Sequence, residues 1–252
     1  FVIATVGRTL LRDKRKKLRF STRVASFFTG LLSLNFGVRA RIKNTSKGFS
    51  KDKNYLILSN HLSYLDIFIL FSEFPASFIA SVDEVREMFL LGRITALSGG
   101  YFVERRNRST LRTDIDEIAD ILRCGVNVAL FPEGTTSTGE GVLPFKTPLI
   151  NAAEKAGVEV LPVCIKYKKI NGEDIGPENR DLVYFHGDME FFSHVGKLLN
   201  VKRIDVEVTI LEPLSVSSAG SRKDLSDNVY SVISSEYAGG VIEQDKKAAA
   251  RE

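Results

Sequence analysis

One histidine and one carboxylate stand at a spacing that suits proton transfer. His61 follows the apolar run Tyr55–Ser59 and lies in the segment NHLSYLD, residues 60–66. Because Ser63 can cap a helix, Asp66 falls near the first turn of that helix and can reach one imidazole nitrogen. A carboxylate on one ring nitrogen fixes the tautomer and leaves the other nitrogen to accept a proton. The pair therefore predicts a general base acting on a substrate hydroxyl.

Two other interpretations of this segment stay open from its residues alone. Asn, Ser and Asp favour helix starts, so the segment is as typical of a capped helix as of a catalytic pair. Zinc binding by His61 and Asp66 is a weaker alternative, because His186 and His194 lack the spacing of zinc ligands. We therefore expect no metal. The chain has no G-x-S-x-G nucleophile elbow, so a covalent intermediate is not indicated.

Two further polar segments follow predicted strands. After Val103 comes the cluster ERRNR, residues 104–108, which alone is typical of a solvated basic loop. After the strand NVALF comes PEGTTS, residues 132–137, and then a glycine-containing loop to Lys146. Glycines and hydroxyls at such a junction can present backbone N–H groups to an anion or a developing oxyanion. An ordinary turn is equally typical, and no Gly-Lys-Ser/Thr follows to make a P-loop.

Together and in this order, the segments resemble the motifs of the glycerolipid (lysophospholipid) acyltransferase family, whose best-known members are 1-acylglycerol-3-phosphate acyltransferases. Asn60-His61 with Asp66 matches the first motif, and GYFVER at residues 100–105 is similar to the second. FPEGT at residues 131–135 matches the third, and VLPV at residues 160–163 resembles the fourth. The resemblance spans roughly residues 40–215.

The resemblance implies transfer of an acyl chain from acyl-CoA or acyl-carrier protein to the free hydroxyl of a lysolipid. It implies that His61 is the base and that Asp66 orients it, with no cofactor beyond the thioester co-substrate. Backbone N–H groups around Gly134 or near His61 are expected to hold the oxyanion. The residues expected to contact substrate are Asn60, Ser63, Arg105, Glu133, Gly134, Thr135 and Lys146.

Two residues depart from the third motif of the family. Thr136 stands at a position that is usually arginine, and Pro148 at one where many members have glycine. Because Thr136 replaces a cation that could hold a phosphate, this departure affects which lysolipid is expected as the acyl acceptor. The first expectation is 1-acylglycerol-3-phosphate, giving phosphatidic acid, with Arg105 and Lys146 on its phosphate. Another lysolipid, such as lyso-ornithine lipid or a lysophospholipid, stays open, as does a transacylase that needs no thioester.

The elements that must position these residues alternate between strands and helices. This alternation predicts an α/β fold with a mixed, largely parallel sheet flanked by helices, and ligands bind such sheets at the carboxyl ends of strands. The predicted strands are Tyr55–Ser59, Ser77–Ser81, Gly100–Val103, Asn127–Phe131, Val158–Tyr167, Leu182–His186 and Ile204–Leu211. The predicted helices are Ser63–Phe71, Glu84–Leu91, Thr110–Arg123, Phe145–Ala156, Asp188–Leu199 and Ser221–Tyr237.

The N-terminal part of the chain is strongly basic. The net charge of +4 combines +11 in residues 1–47 with −7 in the other 205 residues. An apolar helical stripe accompanies the cations and consists of Val24, Phe27, Phe28, Leu31 and Leu32. It predicts an amphipathic helix on an anionic membrane surface, too short to span a bilayer. A core-packing helix with a basic outer face is the alternative, and nucleic acid is disfavoured because no binding module is recognisable.

Three regions are therefore predicted. Residues 1–43 form basic membrane-anchoring helices, residues 44–240 the acyltransferase domain, and residues 241–252 a frayed tail. The expected location is the cytoplasmic face of the bacterial inner membrane, as a peripheral or monotopic protein. Two cysteines are too few for a disulfide framework and suit a reducing compartment. A membrane-binding module without catalysis is the non-enzymatic alternative, which the intact His61, Asp66 and Glu133-Gly134 set disfavours.

Overall fold

A computed structural model describes residues 11–81, 100–103, 109–146 and 148–249. The strands in these ranges are β1 (Val38–Asn44), β2 (Leu56–Ser59), β3 (Ala76–Ser81), β4 (Tyr101–Val103), β5 (Asn127–Leu130), β6 (Val160–Ile170), β7 (Glu173–Asp174) and β8 (Ile204–Ile210). The α-helices are α1 (Lys14–Asn35), α2 (Leu65–Glu73), α3 (Leu111–Arg123), α4 (Asn151–Ala156), α5 (Phe191–Leu198), α6 (Val216–Ala219) and α7 (Arg222–Ala249). Pro148–Ile150 and Arg180–Leu182 form 3-10 turns.

The strands form one mixed sheet in the order β1-β8-β6-β2-β5-β3-β4, with β7 paired to β6. β2 pairs in parallel with both β5 and β6, whereas β6 and β8 are antiparallel. All four residues of β2 are buried, as expected for a central strand covered on both faces. The predicted α/β class and the mixed, largely parallel sheet are confirmed.

The strand directions give the sheet two distinct edges. We call the edge where β2 and β5 end the carboxyl edge, and the edge where they begin the amino edge. β1 runs parallel to β8 and therefore opposite to β2, so β1 begins at the carboxyl edge. Since α1 leads into β1 through a two-residue turn, its C-terminal half lies toward the carboxyl edge and its N-terminal half toward the amino edge.

The N-terminal region is part of this fold. α1 packs against α2, and β1 pairs with β8 along its whole length. The boundary predicted after residue 43 falls inside β1. This strand was not predicted, because three of the seven residues in its sequence VRARIKN are charged and only Val38 is buried. Charged residues are typical of such edge strands, where they hinder pairing with other chains.

α1 buries small and hydroxyl-bearing side chains and exposes aromatic ones. Ser21, Ala25, Thr29 and Ser33, one every four residues, belong to its buried face. On the outside lie Phe27, Phe28, Leu31 and Leu34, of which Phe27 is 64% exposed and Leu34 70%. The predicted apolar stripe therefore faces solvent over most of its length, while Leu32 packs against the core. No helix in the described part of the chain is long and apolar enough to cross a membrane.

Several predicted elements need correction. Leu182–His186 is not a strand, because Leu182 ends a 3-10 turn and the buried Val183 and Tyr184 lie in the loop after it, where Phe185 N–H donates to the Leu62 carbonyl. The helix predicted over Phe145–Ala156 begins only at Asn151, since Pro148 occupies the preceding 3-10 turn. α7 continues to Ala249 and so extends beyond the predicted end at Tyr237, while the frayed tail over residues 241–252 stays a prediction. The helix predicted over Glu84–Leu91 lies outside the described residues.

Candidate active site

Two loops at the carboxyl edge bring the main polar residues together. His61 follows β2 and Glu133 follows β5, and these strands pair in parallel with Leu58 beside Leu130. Parallel pairing places the two strand ends side by side. The backbone N–H of His61 donates to Glu133 Oε1 at 2.6 Å, and the Ser137 N–H donates to the His61 carbonyl at 2.9 Å. The first and third sequence motifs thus form one site.

The predicted pair of His61 and Asp66 is present. His61 Nδ1 lies 3.0 Å from Asp66 Oδ2, with the Asp66 side chain fully buried and 11% of the His61 side chain exposed. A carboxylate on Nδ1 holds the proton there and leaves Nε2 as the acceptor of the ring. Phe131 stacks on the imidazole with the ring centroids 3.8 Å apart and the planes 6° from parallel. The ring is therefore fixed in both position and tautomer.

Asp66 also holds the turn that carries His61. Its Oδ2 accepts the backbone N–H groups of Leu62 at 2.6 Å and Ser63 at 2.8 Å, while Ser63 Oγ accepts the Leu65 N–H at 3.3 Å. The capped helix start and the histidine–carboxylate pair were alternative interpretations of the sequence. One carboxylate satisfies both, because the capping contacts aim it at the ring.

Tyr167 is a member of the site that sequence reasoning missed. Its hydroxyl donates to Asp66 Oδ1 at 2.7 Å from β6. Burial, with the nearby Asp66 charge, raises the pKa of Tyr167 well above its usual value, so the hydroxyl stays a donor. The alternation of β6 places Tyr167 on the same face as Ile165. Its partner Asp66 is 101 positions away in the chain, so the spacing of neighbouring residues could not have predicted this contact.

Glu133 is buried between two stretches of backbone. Its Oε1 accepts from His61 N–H, and its Oε2 accepts from Leu143 N–H at 2.8 Å. Burial raises the pKa of Glu133 to about 7, although these two hydrogen bonds act in the opposite direction. Glu133 therefore ties the loop that follows β5 to the backbone of the candidate base. Its predicted contact with substrate stays a prediction.

Two other expected substrate contacts lie below the surface. The amide of Asn60 bonds the backbone of Ile165 in both directions, donating at 2.9 Å and accepting at 2.8 Å, and only 1% of the residue is exposed. Ser63 is fully buried. Both side chains brace the turn around His61 in this structure, and any contact with substrate remains a prediction.

Four backbone N–H groups near His61 and Gly134 already donate hydrogen bonds within the protein. Gly134, at φ 75°, donates its N–H to the Phe131 carbonyl at 3.2 Å. The N–H groups of His61, Leu62 and Ser63 all donate to the two buried carboxylates. The expectation that amides around Gly134 or near His61 hold the oxyanion stays a prediction.

The outer side of the site carries the remaining predicted residues. Thr135 and Lys146 are exposed, and Lys146 N–H donates to the Pro132 carbonyl at 2.7 Å, which places Lys146 beside the third motif. Arg105 lies outside the described residues. The described residues contain no group of three or more His, Cys, Asp or Glu side chains that could hold a metal ion.

Known proteins match both the sequence and this fold. A family model described as Acyltransferase covers residues 40–166. A lyso-ornithine lipid O-acyltransferase of Brucella abortus (strain 2308) is 38% identical over 81% of this chain and 78% of its own length. A 1-acyl-sn-glycerol-3-phosphate acyltransferase of Neisseria gonorrhoeae is 29% identical over 69% of this chain and 66% of its own length.

A solved structure has the same fold. The crystal structure of the 1-acyl-sn-glycerophosphate acyltransferase PlsC from Thermotoga maritima matches with a TM-score of 0.67 and 24% identity, over 94% of this chain and 87% of that one. An α/β sheet with a buried histidine–carboxylate pair at its carboxyl edge, joined to these matches, defines an acyltransferase. The chain belongs to the Acyltransferase family, and the predicted resemblance is confirmed.

Proposed function

We propose that this chain transfers an acyl group from a thioester to the free hydroxyl of a lysolipid, with His61 as general base. The observation that carries the proposal is the His61–Asp66 pair, whose Nδ1 side is fixed at 3.0 Å by a buried carboxylate. Only Nε2 remains to receive a proton. A substrate hydroxyl beside Nε2 is the group that such a base activates.

The chemistry proceeds by direct attack. The lysolipid oxygen bonds to the thioester carbonyl carbon as its proton passes to His61 Nε2, and Asp66 stabilises the imidazolium through Nδ1. Collapse of the tetrahedral intermediate breaks the carbon–sulfur bond, and the imidazolium returns the proton to the departing thiolate. Proton transfer of this kind contributes about 10²–10⁴-fold to the rate. Binding and orientation of the two substrates supply the rest.

Lyso-ornithine lipid is our first candidate acceptor. The Brucella relative of that name is 38% identical, against 29% for the Neisseria phosphate-acceptor enzyme, and it is matched over more of its length. Thr136 removes a cation from the third motif, which suits an acceptor without a phosphate headgroup. The second candidate is 1-acylglycerol-3-phosphate, supported by the exposed Lys146 beside the motif. Arg105 is its predicted partner in holding a phosphate.

The membrane surface is the proposed place of the reaction. The exposed side chains Phe27, Phe28, Leu31 and Leu34 lie on the half of α1 that points to the carboxyl edge, the edge that holds His61. A bilayer that receives these side chains would present lysolipid on the side of the site. We propose the cytoplasmic face of the inner membrane, where acyl-CoA and acyl-carrier protein are both available as donors.

One assay tests the reaction and its base. The purified chain is given labelled acyl-CoA or acyl-carrier protein with lyso-ornithine lipid, 1-acylglycerol-3-phosphate or another lysophospholipid. His61→Ala should abolish thioester-dependent product. His186→Ala is the matched control, because His186 Nε2 also faces a carboxylate, Asp181 at 3.2 Å, but that carboxylate is 57% exposed.

The outcomes separate the alternatives. Activity that survives in His61→Ala would remove His61 as the base, and activity lost only in His186→Ala would move the site to the second pair. Product formed without thioester would indicate a transacylase. No product with any acceptor, together with intact vesicle binding, would indicate a membrane-binding module.

A further inference from the structure

A cleft lined by cations lies at the amino edge of the sheet. It measures about 490 Å³ and runs between α1 and the segments that lead into β2 and β5. We call it the basic cleft. Its cationic side chains are Arg15, Arg19, Arg23, Lys51 and Lys53. Asn54 and Asn127, at the starts of β2 and β5, line it as well, so it lies at the opposite end of these strands from His61.

Most of these cations lack a carboxylate partner. Among the described residues, no carboxylate lies within ion-pair distance of Arg15, Arg19, Arg23 or Lys51, and only Lys53 pairs, with Glu159 at 3.2 Å. Asp52 is the one acidic residue among the described residues that line the cleft. Several like charges around one cavity repel each other, and an anion in the cavity relieves that repulsion.

Two of the arginines are held in place by the end of α3. Arg19 Nη2 lies 3.5 Å from the Gly125 carbonyl. A Cβ built on Gly125 would lie 2.8 Å from an Arg19 nitrogen and 3.1 Å from an Arg15 nitrogen, so both guanidinium groups rest on this turn. The C-terminal end of a helix carries partial negative charge and attracts cations. The guanidinium groups of Arg15 and Arg19 therefore lie at the mouth of the cleft, close to Gly125, while they stay exposed to solvent.

The polar side chains at the back of the cleft are already engaged. Asn54 donates to the Leu122 carbonyl at 2.8 Å, Asn127 to the Pro75 carbonyl at 3.2 Å, and Thr22 to the Arg19 carbonyl at 3.1 Å. A ligand must then be recognised by the cations. Guanidinium groups bind phosphate oxygens through paired hydrogen bonds, with which lysine ammonium groups cooperate as point charges.

We propose that the basic cleft binds a phosphate-bearing anion at a site separate from the acyl-transfer site. Two sources supply this chemistry, a phospholipid headgroup and a soluble phosphate or polyphosphate. On α1, Arg15, Arg19 and Arg23 are followed at the same four-residue interval by Phe27 and Leu31. Arg19 and Leu31 are about 18 Å apart along the helix axis. Because each four-residue step also turns the helix by about 40°, Arg19 and Leu31 point about 120° apart, and Arg23 is the arginine of this series that lies nearest the apolar residues.

Titration calorimetry with inorganic pyrophosphate tests the site. The wild-type chain should bind about one pyrophosphate per chain in a saturable manner. Arg19→Gln/Arg23→Gln should weaken binding at least 10-fold, because it removes two of the cations that face the cleft. The control is Arg39→Gln/Arg41→Gln, which removes the same charge from exposed residues of β1. Equal weakening in both variants, or binding that does not saturate, would overturn the proposal in favour of diffuse attraction.

A second experiment, vesicle sedimentation, identifies whether the bound phosphate belongs to a lipid headgroup or to a soluble anion. Sedimentation is measured with phosphatidylcholine vesicles containing phosphatidylglycerol. Loss of binding in the cleft variant alone, with displacement by pyrophosphate, assigns the cleft to a lipid headgroup. Equal vesicle binding in both variants, with pyrophosphate binding still lost in the cleft variant, assigns it to a soluble anion. Acyl transfer to a soluble short-chain acceptor should be the same in both variants, so failure of the site and failure of the proposed reaction are measured separately.

Discussion

The two edges of the sheet treat charge in opposite ways. At the carboxyl edge, Asp66 and Glu133 are buried and each of their four oxygens accepts a hydrogen bond from a fixed donor. At the amino edge, Arg15, Arg19 and Arg23 are exposed and have no described carboxylate partner. A buried charge without hydrogen-bond partners is costly, so its partners must be part of the fold. An exposed charge is solvated by water and can bind a ligand that comes and goes. The first arrangement suits chemistry and the second suits recognition.

The largest expected effect comes from breaking the buried pair. Asp66→Asn leaves one acceptor oxygen for donors that now share two, namely Tyr167 on Oδ1 and His61, Leu62 and Ser63 on Oδ2, and it removes the negative charge beside the ring. We expect kcat to fall by about 10²–10⁴-fold, because the ring loses its fixed tautomer. Steady-state kinetics measures the fall, and circular dichroism confirms the fold. A folded variant with wild-type kcat would mean that Asp66 is only a helix cap.

The second effect concerns pH and Glu133. Its pKa is raised from 4.5 to about 7, so the folded state keeps a proton that the unfolded state has lost. The resulting stabilisation is complete below pH 4.5, declines as pH rises toward about 7, and is then lost. At 1.36 kcal/mol per pKa unit it amounts to roughly 3 kcal/mol.

Glu133→Gln isolates this contribution. Urea unfolding at several values between pH 4.5 and pH 8 should show the wild-type chain losing stability relative to the glutamine variant as pH rises. If the two profiles stay parallel, the carboxyl group of Glu133 titrates at its ordinary value and burial does not govern it.

A smaller effect is expected at Tyr167. Tyr167→Phe removes one hydrogen bond to a buried carboxylate, and such bonds contribute about 1.5–3 kcal/mol. We therefore expect kcat to fall by about 10–10²-fold with KM for both substrates unchanged. Tyr184→Phe is the matched control, because Tyr184 packs on Tyr167 with the ring centroids 5.4 Å apart. Equal loss in both variants, or a rise in KM alone, would reduce Tyr167 to a packing residue.

The smallest effect is expected where α7 holds the loop of the carboxyl edge. Tyr237 donates to the Gly139 carbonyl at 2.8 Å, and Tyr230 lies 3.3 Å from the Val142 carbonyl in the same loop. Tyr237→Phe should lower the free energy of unfolding by about 1 kcal/mol, and Tyr230→Phe by less, because its bond is longer. Urea denaturation measures both. The reverse order would show that the turn at Gly139 does not depend on the hydrogen bond from Tyr237.

The sequence revealed the parts of the site that lie close together along the chain. His61 and Asp66 were predictable because five positions separate them across one helix start. Their proximity to Glu133 was predictable from the family resemblance, and also because both segments follow strands that end at the same edge of the sheet. Tyr167 was not predictable, because it reaches Asp66 across the sheet, where local spacing carries no information.

The fold shows the same division. Strands with continuous apolar runs, such as Asn127–Leu130, were predicted to within a residue or two. The charged edge strand Val38–Asn44 was missed and the apolar Leu182–His186 was wrongly assigned, because burial and strand pairing do not always coincide. The amphipathic helix α1 was anticipated, but not that its buried face would be the more polar one.

The buried face of α1 determines which contacts hold this helix against α2. Ser21, Ala25, Thr29 and Ser33 are small, so they permit close approach of helix backbones between the larger apolar contacts of Leu18 and Leu32. Contacts of this kind are used between helices inside lipid, where the hydrophobic effect is absent. The junction of α1 with α2 should therefore keep its geometry whether water or acyl chains surround Phe27 and Leu34, and a change of solvent around α1 would leave the position of His61 undisturbed.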